Sequence, residues 1–181
     1  PYNSPWLPWS TIKNGGTLDF TLSNNPNSLW GTDPALAPPS FGDNTVTYET
    51  ESLTVAATSG DLHRVALDTG YSGGRGTILE GNAVGDFVTY TVNVPEARTY
   101  NIRIRIKRLA NRGIWQFSSN GVNHGLPVDG FSSMATFPEI NIGNVTFSTA
   151  GNKSFRFMIT GRNASSASFW IALDYIRLIP Q

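Results

Sequence analysis

Gly85-Asp86-Phe87-Val88-Thr89-Tyr90-Thr91-Val92-Asn93-Val94-Pro95 decides the fold class. Successive side chains of an extended chain point to opposite faces. Val88, Tyr90, Val92 and Val94 therefore share one face, Phe87, Thr89, Thr91 and Asn93 share the other, and Pro95 ends the strand. One face is apolar and belongs to a core. Tyr100-Asn101-Ile102-Arg103-Ile104-Arg105-Ile106-Lys107-Arg108 alternates more strictly, with Ile102, Ile104 and Ile106 inward and Asn101, Arg103, Arg105 and Lys107 outward. With Glu96-Ala97-Arg98-Thr99 as a short connector, the two strands read as neighbours in one antiparallel sheet with a single wet face. That pattern predicts an all-β antiparallel sandwich.

The 181 residues suffice for one domain with a sizeable core and an appendage. Thirteen basic and thirteen acidic residues cancel, so no long-range field draws the chain to nucleic acid or to an anionic membrane. Few charges and abundant Gly, Pro, Asn, Ser and Thr favour short strands and turns over helices. No disulfide supports the framework, because there is no cysteine. No apolar run reaches the 18 residues of a membrane span. A start at Pro1 without methionine is what a piece of a longer protein would show.

Residues 1–44 differ from residues 45–181. Pro5, Pro8, Pro26, Pro34, Pro38 and Pro39 punctuate them, and only Gly16-Thr17-Leu18-Asp19-Phe20-Thr21-Leu22 alternates like a strand. Trp6, Trp9, Trp30, Phe20 and Leu29 are too apolar for a free linker and are expected to lie against another surface. Three stretches, Pro8-Trp9-Ser10-Thr11-Ile12-Lys13-Asn14-Gly15-Gly16-Thr17-Leu18-Asp19-Phe20, Asn25-Pro26-Asn27-Ser28-Leu29-Trp30-Gly31 and Pro38-Pro39-Ser40, resemble the C-terminal end of glycoside hydrolase family 92. Those are exo-acting, calcium-dependent α-mannosidases. The resemblance includes none of that family's catalytic carboxylates, so it implies a parent enzyme, secreted and bacterial, and no activity in this part.

After the turn Gly42-Asp43-Asn44-Thr45, the stretch Val46-Thr47-Tyr48-Glu49-Thr50-Glu51-Ser52-Leu53-Thr54-Val55 opens a new unit. Two apart in a strand, Glu49 and Glu51 point to the same face, and like charges so placed repel unless a cation bridges them. An edge strand with two solvated carboxylates is the plainer alternative. The last strand, Phe169-Trp170-Ile171-Ala172-Leu173-Asp174-Tyr175-Ile176-Arg177-Leu178, carries one acid in an apolar run, and a buried carboxylate needs a partner. First and last strands often pair in a sandwich, which would bring Glu49, Glu51 and Asp174 together. Oxygen ligands without Cys or His select a hard cation such as Ca²⁺.

Tyr48-Glu49-Thr50-Glu51-Ser52-Leu53, Tyr71-Ser72-Gly73-Gly74-Arg75-Gly76, the Gly85–Val92 run and Leu173-Asp174-Tyr175-Ile176-Arg177-Leu178 occur in the order found in carbohydrate-binding modules. The resemblance is to families 6 and 35, jelly-roll sandwiches with a galactose-binding-like fold, and covers about residues 46 to 180. It implies a structural calcium held by Glu49, Glu51, Asp174 and backbone oxygens of the glycine loop. Gly73, Gly74 and Gly76 would let that loop take φ > 0. The pattern departs from family 6 at Ala172, where an asparagine is common, so the usual cleft is expected to be altered or lost.

Further strands read over Arg112–Gly121, ending in an Asn120-Gly121 turn, over Ile140–Phe147 and over Lys153–Ile159, the last two as a hairpin. Asn123–Thr136 reads as a long polar loop. Sugars are held by flat aromatics and planar polar groups, which makes Tyr71, Arg75, Trp115, Asp129, Phe131, Phe137, Asn163 and Trp170 the binding candidates. Trp115 and Trp170 suit a core equally well, Phe131 a loop anchor, and Arg75 a pair with Glu80. His63 and His124 sit near no thiol or nucleophile motif, which argues against a triad or a zinc site. The reading is a non-catalytic module for a neutral, mannose-containing carbohydrate, with structural Ca²⁺. The alternative is a non-binding β-domain packed on the catalytic unit of the parent enzyme.

Overall fold

The computed structural model describes Trp6, Leu7, residues 9–20, Asn24 and residues 44–181. Contacts divide the chain into two units, Pro1–Gly42 and Asp43–Gln181. In the first, one helical turn, Trp9–Ile12, is followed by irregular chain through residue 20. The alternation from Gly16 forms no strand in its described part, and Leu18 and Phe20 are exposed. Leu29, Trp30 and the rest of the two shorter family 92-like stretches, residues 25–31 and 38–40, lie outside the described residues.

The second unit has eleven strands: β1 Val46–Glu49, β2 Thr54–Thr58, β3 His63–Leu67, β4 Arg75–Leu79, β5 Phe87–Val94, β6 Thr99–Ile106, β7 Gly113–Ser119, β8 Val122–Asp129, β9 Glu139–Thr146, β10 Gly151–Arg162 and β11 Ile171–Pro180. They form two antiparallel sheets. One has the order β3-β4-β11-β6-β9 with β1 also on β11, and the other the order β2-β5-β10-β7-β8. The inward rows meet in one core, where Val88, Tyr90 and Val92 of β5 and Phe155, Phe157 and Ile159 of β10 join Ile102, Ile104 and Ile106 of β6 and Ile176 and Leu178 of β11. Side-chain alternation thus predicts the faces of β5 and β6 correctly, but not their pairing.

β5 and β6 are not neighbours. They belong to opposite sheets, and Pro95–Arg98 carries the chain across the sandwich. The same holds for β9 and β10, which are no hairpin. Period-two alternation says which side chains are buried, and two strands facing each other across a core satisfy it as well as two side by side. β7 and β8 are a true hairpin through Asn120 (φ 47°) and Gly121 (φ 82°), the left-handed pair that a two-residue turn requires. The first half of the polar stretch from Asn123 is therefore strand β8, an edge strand whose outward residues need not be apolar.

The sandwich also has a second, smaller apolar cluster outside the main core. Ile78 of β4, its partner Ala172 of β11, and Ala66 of β3 are covered by Tyr71, Phe137 and Trp170. Two glycines make this lid fit. A Cβ on Gly70 would lie 2.1 Å from the Phe137 ring, and one on Gly76 would lie 2.8 Å from the Tyr71 ring and 2.7 Å from the Leu173 carbonyl oxygen. Gly73 (φ 59°) and Gly74 (φ 74°) take the left-handed conformation expected of the loop, whereas Gly76 is needed for close approach.

Candidate functional site

Glu49 ends β1, and a tight turn over Thr50–Ser52 then lifts Glu51 off the strand, so the same-face rule does not apply to the pair. Ser72 Oγ donates to Glu49 Oε1 at 2.9 Å. The other carboxylate oxygens, Glu49 Oε2 and Glu51 Oε2, are buried without a hydrogen-bond partner. Asp174 is fully buried and differs from both. Ser72 N–H donates to its two oxygens at 3.0 and 3.1 Å, and Arg105 Nη1 donates to Oδ2 at 2.6 Å. A guanidinium is thus one partner of Asp174, and Ser72, bonded to both carboxylates, sets it beside Glu49 of the expected carboxylate set. Among the described residues no three His, Cys, Asp or Glu side chains are grouped to hold a metal ion. Burial raises the Asp174 carboxyl above the usual range, opposed by the Ser72 N–H and by Arg105.

A chain of hydroxyls runs from this region to the edge strand β3. Thr50 Oγ1 donates to the carbonyls of Leu173 (3.1 Å) and Asp174 (2.9 Å), and Thr77 Oγ1 donates to Thr50 Oγ1 at 2.9 Å. Tyr90 OH lies 2.8 Å from Thr77 Oγ1, and His63 Nε2 lies 2.8 Å from Tyr90 OH. A carbonyl only accepts, so each hydroxyl proton is committed towards it, and Nε2 of His63 must carry a proton. Burial lowers the pKa of both His63 and His124. For a group whose folded pKa lies below its unfolded value of about 6.5, the unfolded chain binds more protons in acid. This contribution to stability is full above about pH 6.5 and is lost as the pH falls through the folded pKa. Thermal melts at pH 8, 6.5 and 5 should fall in that order, and His63→Gln should flatten the dependence.

The sugar candidates separate into three groups. Trp115 is in the main core, 1% exposed, with its ring 5.4 Å from that of Phe157, and is unable to meet a ligand. Tyr71 is 4% exposed, stacked edge-on against Phe137 at 5.2 Å, and burial pushes its phenol up to about 12. Its expected role as an open sugar platform is likewise corrected, because the ring is spent on the lid cluster. Asp129 braces loops: Oδ1 accepts from Phe131 N at 2.8 Å and Oδ2 from Asn163 Nδ2 at 2.8 Å, while Asn163 Oδ1 accepts from Ser165 N. Arg75 is exposed and makes none of the pairing with Glu80, which is bonded instead to Arg64 at 2.7 Å. Phe131, Phe137 and Trp170 are part-exposed.

Sequence reasoning missed Arg112. It sits where residues 107–112 enter β7, with Gly130 packed against its Cβ, Gly113 N–H bonded to the Trp170 carbonyl, and its guanidinium 5.7 Å from the Trp170 ring. Only 3% of it is exposed. A basic residue at the mouth of an apolar strand was the available signal. This end of the sandwich thus gathers Tyr71, Arg112 and Trp170 beside the braced Asp129–Asn163 loops.

With that geometry in view, three solved structures are informative. A Paenibacillus xanthan lyase matches 75% of this chain at 34% identity with a TM-score of 0.71, and the match spans 13% of the lyase. The CBM36-1 domain of a multidomain xylanase from the hindgut metagenome of Trinervitermes trinervoides matches 75% of the chain and 96% of its own length, at 24% identity and a TM-score of 0.52. The chain has the fold of a carbohydrate-binding module. A family 35 carbohydrate-binding module from Clostridium thermocellum agrees, with 24% identity, a TM-score of 0.52, and 74% of this chain and 98% of the module covered. No protein-family model matches the sequence, and no curated protein does. No helix among the described residues is long and apolar enough to cross a membrane.

Proposed function

We propose that residues 43–181 form a non-catalytic carbohydrate-binding module with a structural Ca²⁺, part of a secreted glycoside hydrolase. What carries this reading is the sandwich itself, which matches almost the full length of a CBM36-1 domain and of a family 35 carbohydrate-binding module. Mannose-containing glycans are the first ligands to test and an α-mannosidase is the parent, both on the family 92 resemblance of the N-terminal stretch. Glu49 and Glu51 would hold the cation. Their buried Oε2 atoms are acceptors with nothing to accept from, which fits a hard cation, and main-chain oxygens or water must complete its six to eight ligands. The part-exposed Trp170 is the sugar platform.

Calorimetry on the whole chain with mannose, galactose and short mannan and xylan oligomers tests the binding. A shallow site predicts Kd near 1 mM, roughly −4 kcal/mol. Absence of binding at tens of millimolar would favour the structural β-domain, a reading supported by the loss of Tyr71 and Trp115 to packing. For the metal, Ca²⁺ at 100 times its Kd should add roughly 2.7 kcal/mol. A melting temperature indifferent to EDTA, with no metal found by elemental analysis, would sink the calcium reading.

A further inference from the structure

We propose that the chain forms a two-fold dimer through β3, whose free edge pairs antiparallel with the same edge of a second copy. β3 ends the sheet β3-β4-β11-β6-β9. An edge strand offers unpaired N–H and C=O groups to any other strand, and folded proteins blunt such edges with bulges, prolines, charges or shortness. The other edges here are blunted. A bulge lies in β2 between Val55 and Ala57, β8 carries Pro127 and a register shift against β7, and β9 is shifted against β6 beside Gly143 (φ 107°). β1 is four residues long and runs into a tight turn. Among the described strands at an edge, β3 alone has none of these devices. Its five residues pair with β4 without a shift, it contains no proline or glycine, and Arg64, its one permanent charge, is held by Glu80 at 2.7 Å.

The register on β4 says which main-chain groups are free. Glu80 N–H donates to the Leu62 carbonyl, and Asp68 N–H donates to the Gly74 carbonyl. By the two-residue period, Leu62, Arg64, Ala66 and Asp68 turn their main-chain groups to β4, and His63, Val65 and Leu67 turn theirs to the free edge. Those three are symmetric about Val65. Two antiparallel copies centred there set Val65 against its own equivalent and His63 against Leu67, which makes about six hydrogen bonds, two for each pair. The exposed side chains fit the same register. Val65 (40% exposed) and Leu67 (79%) share the face of His63, so pairing joins the two valines in one apolar row and lays each Leu67 across from a His63 ring. On the opposite face Arg64 falls across from Ala66, whose small side chain leaves it room, and diagonal to Asp68, a charge of opposite sign. A foreign strand would have to supply this complement, whereas a second copy carries it. The two-fold axis of such a pair is perpendicular to the sheet. Both lid clusters then face the same way, and the dimer presents two Trp170 rings to one surface.

Sedimentation velocity of the whole chain from micromolar to millimolar concentration should show a reversible monomer–dimer equilibrium. Leu67→Lys places a charge at an exposed position, so it should raise the dimer Kd about tenfold or more and leave the melting temperature of the dilute chain unchanged. Val65→Pro removes an outward N–H and no bond to β4, and should abolish the dimer. If it does not fold, Leu67→Lys carries the test. Leu126→Lys, at an 84% exposed position on the blunted edge of β8, should change nothing. The centre of the pairing can be checked covalently, because the chain has no cysteine of its own. Val65→Cys should give a disulfide-linked dimer under mild oxidation, since paired Cα atoms about 5.5 Å apart lie within bridging range. Leu67→Cys, which falls opposite His63 rather than its own equivalent, should not. A chain that stays monomeric at millimolar concentration would overturn the proposal, whether its edge meets water or takes a foreign strand. A dimer indifferent to Leu67→Lys, or one linked faster through Leu67→Cys than through Val65→Cys, would overturn it too.

Discussion

Arg105→Met is expected to destabilise the sandwich by about 3 kcal/mol, the low end for breaking a buried ion pair, because Arg105 is 26% exposed while Asp174 is fully buried. The substitution leaves the Asp174 carboxylate with the Ser72 N–H as its sole donor. It also removes the Arg105 Nε bond to the Phe137 carbonyl, which anchors the lid. For a domain of this size the melting temperature should drop by roughly 10 °C. The pH dependence has a definite sign. Burial already holds the Asp174 pKa above its unfolded value, and without Arg105 it rises further. A raised acid costs nothing while protonated in both states, and its penalty grows as the pH climbs through the folded pKa. The deficit of Arg105→Met should therefore be largest at neutral pH and shrink towards pH 4. The double variant Arg105→Met, Asp174→Leu should recover most of the loss, since a buried pair replaced by apolar groups is often neutral. Urea unfolding of the three variants measures this, and a single-variant loss under about 1 kcal/mol would mean that Asp174 has a second counter-ion.

That ion pair also marks the limit of what alternation conveys. The pattern of β6 places Arg105 on the outer face with Arg103 and Lys107, and the apolar run of β11 says that Asp174 needs a partner. Joining the two requires the register of β6 on β11 and the irregularity between Leu173 and Ile176 that turns Asp174 outward, and neither is a property of one strand's sequence. Local turn chemistry is legible where it is self-contained, as at Asn120-Gly121 and Gly73-Gly74. Partition of strands between two sheets is not, as the connectors after β5 and β9 show, because the cost of crossing a core or turning beside it is settled by the whole set of strands. The reading of Glu49 and Glu51 as same-face residues of one strand fails for a local reason. A tight turn interrupts what reads as one strand, and Thr50 is drawn in to bond the carbonyls of Leu173 and Asp174.

Trp115→Ala should cost about 3–5 kcal/mol, the range for truncating a large buried aromatic ring. Trp115 is among the largest fully buried side chains, and it packs edge-on against Phe157, which in turn meets Tyr90 and Phe117. The cavity would open where β7 and β10 are paired, at Trp115 opposite Ile159, so neighbouring strands have little freedom to collapse into it. With an m-value near 2 kcal/mol/M, the urea midpoint should fall by roughly 2 M. Trp115→Phe, which keeps a ring, should lose less than half as much. Trp170→Ala is the informative control, because its part-exposed ring covers the lid cluster and faces the guanidinium of Arg112. It should cost far less stability and remove sugar binding. The two tryptophans are thereby distinguished by which property each substitution destroys. If Trp115→Ala kept its urea midpoint within about 0.5 M and lost binding instead, Trp115 would be a ligand contact and its place in the core would be wrong.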